Sequence, residues 1–524
     1  MTTPKTSWHT RAIVYQIYPR SFQDSDNDGV GDLQGIIDRL DYLNGSTNSL
    51  GINVIWLSPV YTSPMADFGY DVADYVDIDP LFGSLKLFRI LVKEAHKRQI
   101  KIILDFVPNH TSDQHPWFKE SSASRVNSKR DWYIWKNGGS SGTEPNNWQS
   151  NFGGPAWTYS PQTDQYYLHS FLAAQPDLNW DNPEVRGAMK TVMRFWLDIG
   201  VDGFRVDAVD WLSKDPEFRN NVISKPAKFN RDGPHLFERL NEMTDVLLEY
   251  EDRFMITEAH PETENKIQGY LNYYEAVNSQ LSAPFNFESI YVPWQASRYR
   301  EFVDSFQAGM KASFTPIYTL GNHDESRVAT RIGSEAARTA AMLLLTLPGL
   351  PIIYYGDEIG MHDVKIPPDQ ARDPFVGPGN NRDAQRTPMQ WDGGRYAGFS
   401  RHTPWLPVAS DFASENVTSQ MANQRSMLKL YKDLIALRGH SEALSSGSYR
   451  SADFGPDIFG YYRQMGGNSL LILLNFAGIP RQVSQTVADF QLKLSTNPNS
   501  PATAVQGKLT LGAHEGVIME QHLD

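Results

Sequence analysis

Two hydrophobic periods alternate along most of the chain. Short apolar runs, rich in β-branched and aromatic residues, are each followed by a stretch whose apolar positions recur every three or four residues. Ala12-Ile13-Val14-Tyr15-Gln16-Ile17-Tyr18 predicts a strand ending at Pro19, and Leu33, Ile36, Ile37, Leu40 and Leu43 predict one helical face. Val54 to Leu57 predicts a second strand, with a helix striped by Leu85, Phe88, Leu91, Val92 and Ala95 behind it. Lys101 to Val107 predicts a third. From Pro108 to about Gln175 the rhythm breaks in a region rich in Gly, Ser, Asn and Trp, a length that predicts a small inserted subdomain rather than a bare loop.

The alternation resumes at Asn182-Pro183-Glu184, a cap, a first-turn proline and a first-turn acid that start a helix striped by Val185, Met189, Val192, Met193 and Trp196. Further strands are predicted to end at Asp207, Glu258, Asp324 and Asp357, with a weaker candidate near Phe285 to Tyr291. Eight strand–helix pairs make a closed (β/α)8 TIM barrel, an α/β fold whose reactive groups gather at the C-terminal ends of the strands. The helix carrying Met427, Leu430, Tyr431, Leu434 and Ile435 would close it. From about Ser445 the runs become short and alternating, as in Ser469 to Leu474, which predicts a C-terminal antiparallel β-sandwich. The expected division is a barrel over 1–107 and 176–444, an inserted subdomain over 108–175, and the sandwich over 445–524.

Composition narrows the chemistry. The 524 residues carry a net charge of −13 and no basic stretch, which argues against nucleic acid as a partner. There is no cysteine, so disulfides, thiolate catalysis and zinc–sulfur sites are excluded. The first residues lack the apolar core of a signal peptide, and the greasiest run, Met342 to Tyr355, is broken by Pro348, Gly349 and Pro351. The expectation is a cytoplasmic protein with no membrane partner, monomeric or a homodimer.

Three of the strand-like runs end in a carboxylate: Asp207, Glu258 and Asp324. An acid at the end of a buried strand is costly unless water, a partner or a substrate satisfies it. Three such acids at one barrel mouth suggest acid/base chemistry on a neutral, hydroxyl-rich substrate. Asp24-Ser25-Asp26-Asn27-Asp28-Gly29-Val30-Gly31-Asp32 has the alternation of a calcium loop, with Gly29 at the sixth position and the Val30 carbonyl as a ligand. The bidentate glutamate of a complete loop is missing, since Gly35 stands there.

Asp105-Phe106-Val107-Pro108-Asn109-His110, Gly203-Phe204-Arg205-Val206-Asp207, Thr257-Glu258-Ala259 and Asn322-His323-Asp324 resemble, in order, the four signature regions of glycoside hydrolase family 13, the α-amylase family. Gln175-Pro176-Asp177-Leu178-Asn179 resembles the extra region of its oligo-1,6-glucosidase and α-glucosidase branch. The resemblance implies Asp207 as nucleophile, Glu258 as general acid/base and Asp324 as the acid that grips sugar hydroxyls. Asp207 is then expected to stay ionised beside Arg205, and Glu258 to have its pKa raised so that it holds a proton. His110 and His323 resemble the histidines that hydrogen-bond the bound glucose. Tyr70 resembles its stacking platform, and Phe171 would pack near the scissile bond.

Asp67 and Arg386 match a pair that bridges the pocket floor in exo-acting members. The resemblance also implies a structural, non-catalytic Ca2+ at Asp24, Asp26, Asp28, Val30 and Asp32. Ala208, the residue after the nucleophile, tends to be valine in α-1,6 cutters of this branch and favours α-1,4 bonds here. The reading is a retaining, exo-acting α-glucosidase on short oligosaccharides such as maltose, with transglucosylation open. Sucrose hydrolase or isomerase, oligo-1,6-glucosidase and trehalose-processing enzymes of the same family stay open as alternatives. A non-catalytic protein like the transporter heavy chains is the distant one.

Overall fold

Eight short strands, buried throughout except for Lys101 at the start of the third, form one parallel sheet. They are β1 (Val14–Ile17), β2 (Val54–Leu57), β3 (Lys101–Phe106), β4 (Gly203–Val206), β5 (Phe254–Thr257), β6 (Ser282–Pro284), β7 (Ile317–Thr319) and β8 (Leu350–Tyr354). The computed structural model describes residues 7–139, 142–222, 228–375, 381–485, 487, 489–499 and 509–521. The strands run in the order β6-β5-β4-β3-β2-β1-β8-β7, and a parallel bridge between Asn286 and Tyr318 joins the two ends into a closed barrel. Both faces of each strand are covered, which is why they read as continuous apolar runs.

Helices follow each strand: α1 (Leu33–Asp38), α2 (Leu85–Lys97), α3 (Pro183–Ile199), α4 (Leu236–Leu247), α5 (Lys266–Ala276), α6 (Ala296–Gly309), α7 (Ser334–Thr346) and α8 (Met427–His440). Asn182 caps α3 by accepting from the Glu184 N–H, with Pro183 in the first turn. Close approach of β4 to β5 needs Gly203, because a Cβ there would lie 1.9 Å from the Phe254 carbonyl oxygen.

Two local expectations are corrected. The face from Leu33 to Leu43 is not one helix: it breaks at Arg39 (φ −101°, ψ 1°) into α1 and a single turn, Leu40–Leu43. The sixth strand lies at Ser282–Pro284, upstream of the predicted Phe285 to Tyr291, where Glu288–Tyr291 forms a helical turn. In that turn Phe287 and Ile290 are buried at helical spacing, and a run so short satisfies either period.

Between β3 and α3 the chain forms a three-stranded antiparallel sheet of Trp135–Lys136, Gln165–Leu168 and Trp157–Ser160. It leaves and rejoins the barrel side by side through bridges between His110 and Asp177 and between Tyr133 and Leu178. Trp148 Nε1 donates to the Arg219 carbonyl at 2.8 Å, tying this sheet to the loop after β4.

After α8 a five-stranded antiparallel sheet (Ser448–Asp453, Ile458–Met465, Asn468–Asn475, Gly516–Gln521, Phe490–Ser495) and a two-stranded one (Arg481–Gln482, Thr510–Leu511) complete the chain. Alternate residues divide its burial: Leu470, Ile472 and Leu474 join the main core, whereas Leu471 and Leu473 pack with Val483, Leu511 and Met519. Among the described residues no helix is long and apolar enough to cross a membrane.

Candidate active site

The parallel ladder carries each acid to the rim. The Asp207 N–H donates to the Phe106 carbonyl and the Glu258 N–H to the Val206 carbonyl, each at 2.8 Å, so the two residues stand one step past β4 and β5 on neighbouring strands. Asp324 follows β7 in a turn fixed by Asn322, whose Oδ1 accepts from the N–H groups of Asp324 (2.8 Å) and Glu325 (3.0 Å). All three acids line one cavity of about 690 Å³, a size suited to a short oligosaccharide.

One fully buried guanidinium organises the acids. Arg205 Nη1 lies 2.8 Å from Asp105 Oδ1 and 2.7 Å from Asp207 Oδ1, and Nη2 lies 2.9 Å from Glu258 Oε2. The Ala208 N–H also donates to Glu258 Oε2 at 2.8 Å. Asp207 and Glu258 therefore face the same space, separated by the width of one guanidinium.

The charge pattern reverses the expectation for the pair. Burial, reinforced by Glu258 and Asp105, pushes Asp207 well above the usual carboxylate range against the pull of Arg205. Burial also opposes the charge of Glu258, but Arg205 and His260 outweigh it and hold the group at about 2. Sharing explains the difference. Asp207 divides Nη1 with Asp105, whereas Nη2 serves Glu258 alone and His260 Nε2 lies 3.9 Å from Glu258 Oε1.

Asp324 is held far below the carboxylate range: burial opposes its charge, and His323, Arg386, Arg382 and Arg205 overcome it. Burial lowers His110 to about 4 and His323 to about 3, so both rings are neutral near pH 7. His323 Nε2 sits 2.7 Å from the Tyr70 hydroxyl and 3.1 Å from Asp324 Oδ2, and the Tyr70 and His323 rings stack at 5.4 Å. The Tyr70 hydroxyl also donates to Asp105 Oδ2 at 3.1 Å. Tyr70, His110, His323, Phe171 and Ala208 all line the cavity, Phe171 between His110 and Trp211.

The floor bridge is corrected. Asp67 pairs with Arg382 (2.8 Å), not with Arg386; its other oxygen accepts from Gln175 Nε2 at 3.1 Å. Arg386 is wholly buried behind the cavity, where it donates to Asp324 Oδ1 and to the His323 carbonyl, both at 2.7 Å. Arg382 also reaches Asp324 Oδ1 (3.2 Å) and Asp373 (2.7 Å). The two arginines are four residues apart, one turn through the short helix Arg382–Gln385, so either could have been the bridging one. Only the tertiary fold selects Arg382.

Sequence reasoning also missed Phe152 and Phe375, which pack at 5.1 Å with the Arg382 guanidinium over the Phe152 ring. It missed His260, stacked on Phe287 at 4.3 Å, and the Glu325–Tyr291 pair. Their one signal was adjacency, His260 and Glu325 lying within two residues of a signature acid.

Comparison with known proteins settles the family. The α-amylase catalytic domain matches residues 16–447. This chain belongs to the α-amylase family of glycoside hydrolases. It is 39% identical to an α-glucosidase of Culex pipiens over 98% of this chain and 90% of the relative. It is 38% identical to an oligo-1,6-glucosidase of Parageobacillus thermoglucosidasius over 90% of each chain. A trehalose-6-phosphate hydrolase of Bacillus subtilis strain 168 is 37% identical over 91% of each. Among solved structures, the α-glucosyl transfer enzyme XgtA superimposes with a TM-score of 0.91 at 35% identity, covering 99% of this chain and all of that one. The chain is thus a family 13 glycosidase of the oligo-1,6-glucosidase branch acting on carbohydrate.

Proposed function

We propose that the protein is a retaining, exo-acting α-glucosidase that removes terminal glucose from short α-linked oligosaccharides, α-1,4 bonds favoured. The observation that carries this reading is the single Arg205 guanidinium joining Asp207 to Glu258 at the edge of a cavity walled by the Asp67–Arg382 bridge. Retaining cleavage needs two carboxyls roughly 5–5.5 Å apart, one to attack the anomeric carbon and one to protonate the leaving oxygen. In this reading Asp207 attacks and Glu258 gives its proton to the departing oxygen. Glu258 then takes a proton from water, or from a second sugar, which opens the glucosyl ester. Ionised Asp324 and neutral His323 and His110 hold the ring hydroxyls.

The reactive form has Asp207 ionised and Glu258 protonated, and passing one proton between the two carboxyls leaves the net charge of the pair unchanged. Positive charge growing at the anomeric carbon against Asp207 favours the reactive form. Assaying maltose, isomaltose, sucrose and trehalose, with the first-formed glucose anomer followed by NMR, tests the reading. α-Glucose is expected first. β-Glucose first, or oligosaccharides released from chain interiors, would sink it.

Ala208 supports the linkage preference. It sits in the left-handed region (φ 46°, ψ 44°), where a β-branched side chain is strained. Ala208→Val is expected to raise the isomaltose-to-maltose ratio of kcat/KM by up to about 100-fold and to lower Tm. An unchanged ratio would count against the assignment.

A structural Ca2+ at the 24–32 loop belongs to the same proposal. Carboxylate oxygens of Asp24, Asp26 and Asp28 lie within 4.8 Å of one another. Gly29, at φ +94°, has no room for a side chain, since a Cβ would meet the Thr403 carbonyl oxygen at 2.3 Å. These three acids and the Val30 carbonyl would hold the ion. Asp32 stands outside that group: it caps α1 through the Gly35 N–H and accepts from Ser25, although the sequence placed it among the ligands. Removing metal with chelator is expected to lower Tm by several degrees and leave the cleavage pattern intact. A Tm unchanged after confirmed removal rejects the site.

A further inference from the structure

The α-glucosidase and the trehalose-6-phosphate hydrolase stand at nearly equal identity to this chain, 39% and 37%. The part of the cavity that receives the leaving group must separate a neutral partner from an anionic one. Barrel geometry locates that part. Asp67 follows β2, whereas Phe287 and Tyr291 follow β6, four strands away on the opposite side of the closed ring. The Asp67–Arg382 bridge therefore closes one end, and the loops after β5, β6 and β7 wall the other.

At that second end, among the described residues, Arg231 is paired with the carboxylates of Asp210 (3.3 Å) and Glu262, and Lys266 Nζ donates to the Pro261 backbone carbonyl at 2.6 Å. His260 lies against Glu258. Glu325 is different: among the described residues it forms no ion pair, and its Oε1 accepts from the Tyr291 hydroxyl at 2.6 Å. Arg331 spends its N–H groups on the carbonyls of Ser326, Ile290 and Leu320. Asn322 Oδ1 accepts from the Glu325 N–H and fixes the backbone from which this carboxylate projects, and the Tyr291 hydroxyl holds its far end. Both Glu325 and Tyr291 line the cavity.

We propose that Glu325 is a specificity-determining residue of the leaving-group end, admitting neutral polyhydroxy leaving groups and repelling those that bear a phosphate or carboxylate. The proposal rests on the exo-acting α-glucosidase reading and adds to it the charge class of the leaving group. The neutral sugar finds an acceptor in the carboxylate and a polar partner in the Tyr291 hydroxyl. An anion meets a buried-edge carboxylate of its own sign, and like charges brought together at a binding surface suppress the wrong partner.

Two aryl α-glucosides that differ chiefly in charge, the anionic one also having the slightly poorer leaving group, test this: the glucoside of methyl 4-hydroxybenzoate and that of 4-hydroxybenzoate. Glucose release by the wild-type enzyme is expected to show kcat/KM at least about tenfold lower for the anionic one, the gap narrowing at high salt. Glu325→Gln is expected to close most of that gap. Equal kcat/KM for the two glucosides in the wild type overturns the proposal, and an unchanged gap in a folded Glu325→Gln variant overturns the role of this residue. The wild-type comparison stands even if the variant fails to fold. No glucose from either compound instead removes the α-glucosidase reading, and this proposal with it.

Discussion

Asp207→Ala is expected to lower glucose release from every α-glucoside on the order of 10⁴-fold or more, because no other group can form the covalent intermediate. Azide separates its role from that of Glu258. In the space left by Asp207, azide attacks the anomeric carbon of α-glucosyl fluoride directly, displacing fluoride and giving β-glucosyl azide. In Glu258→Ala the ester on Asp207 still forms, and azide then displaces it to give α-glucosyl azide. Product anomers read by NMR decide the matter, and exchanged outcomes would exchange the two roles. The Asp207 variant is also expected to match or exceed the wild type in Tm at neutral pH. A carboxyl whose pKa is raised on folding costs stability once pH exceeds its ordinary value, and removing it removes that cost.

Arg205→Leu has the largest expected effect on stability. Three buried carboxyls, Asp105, Asp207 and Glu258, share this one guanidinium, which is 1% exposed. Stripping a buried charge of its partner typically costs about 3–5 kcal/mol. The pH dependence follows from sign. Burial already raises Asp105 to about 6, and Arg205 is its principal opposing influence; without Arg205, Asp105 and Asp207 rise further and Glu258 loses the main partner that holds it low. Groups raised on folding contribute stability that is full below the unfolded value, near 4, and is lost as pH climbs. The variant should therefore be weakest above about pH 6 and recover part of its Tm near pH 4.5. A loss of stability equal at both pH values would mean that packing, not charge, is what Arg205 supplies.

Legibility differed by the kind of information each residue carried. The helix at Asn182-Pro183 was readable because capping chemistry is local, and the observed α3 begins at Pro183. The sixth strand was not, because three residues with helical neighbours carry too little period to tell strand from turn. Asp207, Glu258 and Asp324 were readable as acids at strand ends, and all three face one cavity. Asp67 was legible as a floor residue, but its partner was not: Arg382 and Arg386 lie one turn apart with equal claim, and the fold lets Arg382 reach Asp67 as well as Asp324, whereas Arg386 pairs with Asp324 alone.

By itself the sequence determined the strand–helix alternation, the barrel it closes into and the three acids at its mouth. Those features are written in hydrophobic period and in short motifs, and both are properties of neighbouring residues along the chain. Tertiary structure alone decided that Arg382 spans the floor, that Nη2 of Arg205 belongs to Glu258 while Nη1 is divided, and that Glu325 meets Tyr291 at the far end. Each of these depends on distances between residues remote in sequence, and a charge buried at low dielectric takes its protonation from whichever neighbours the fold brings within a few ångströms.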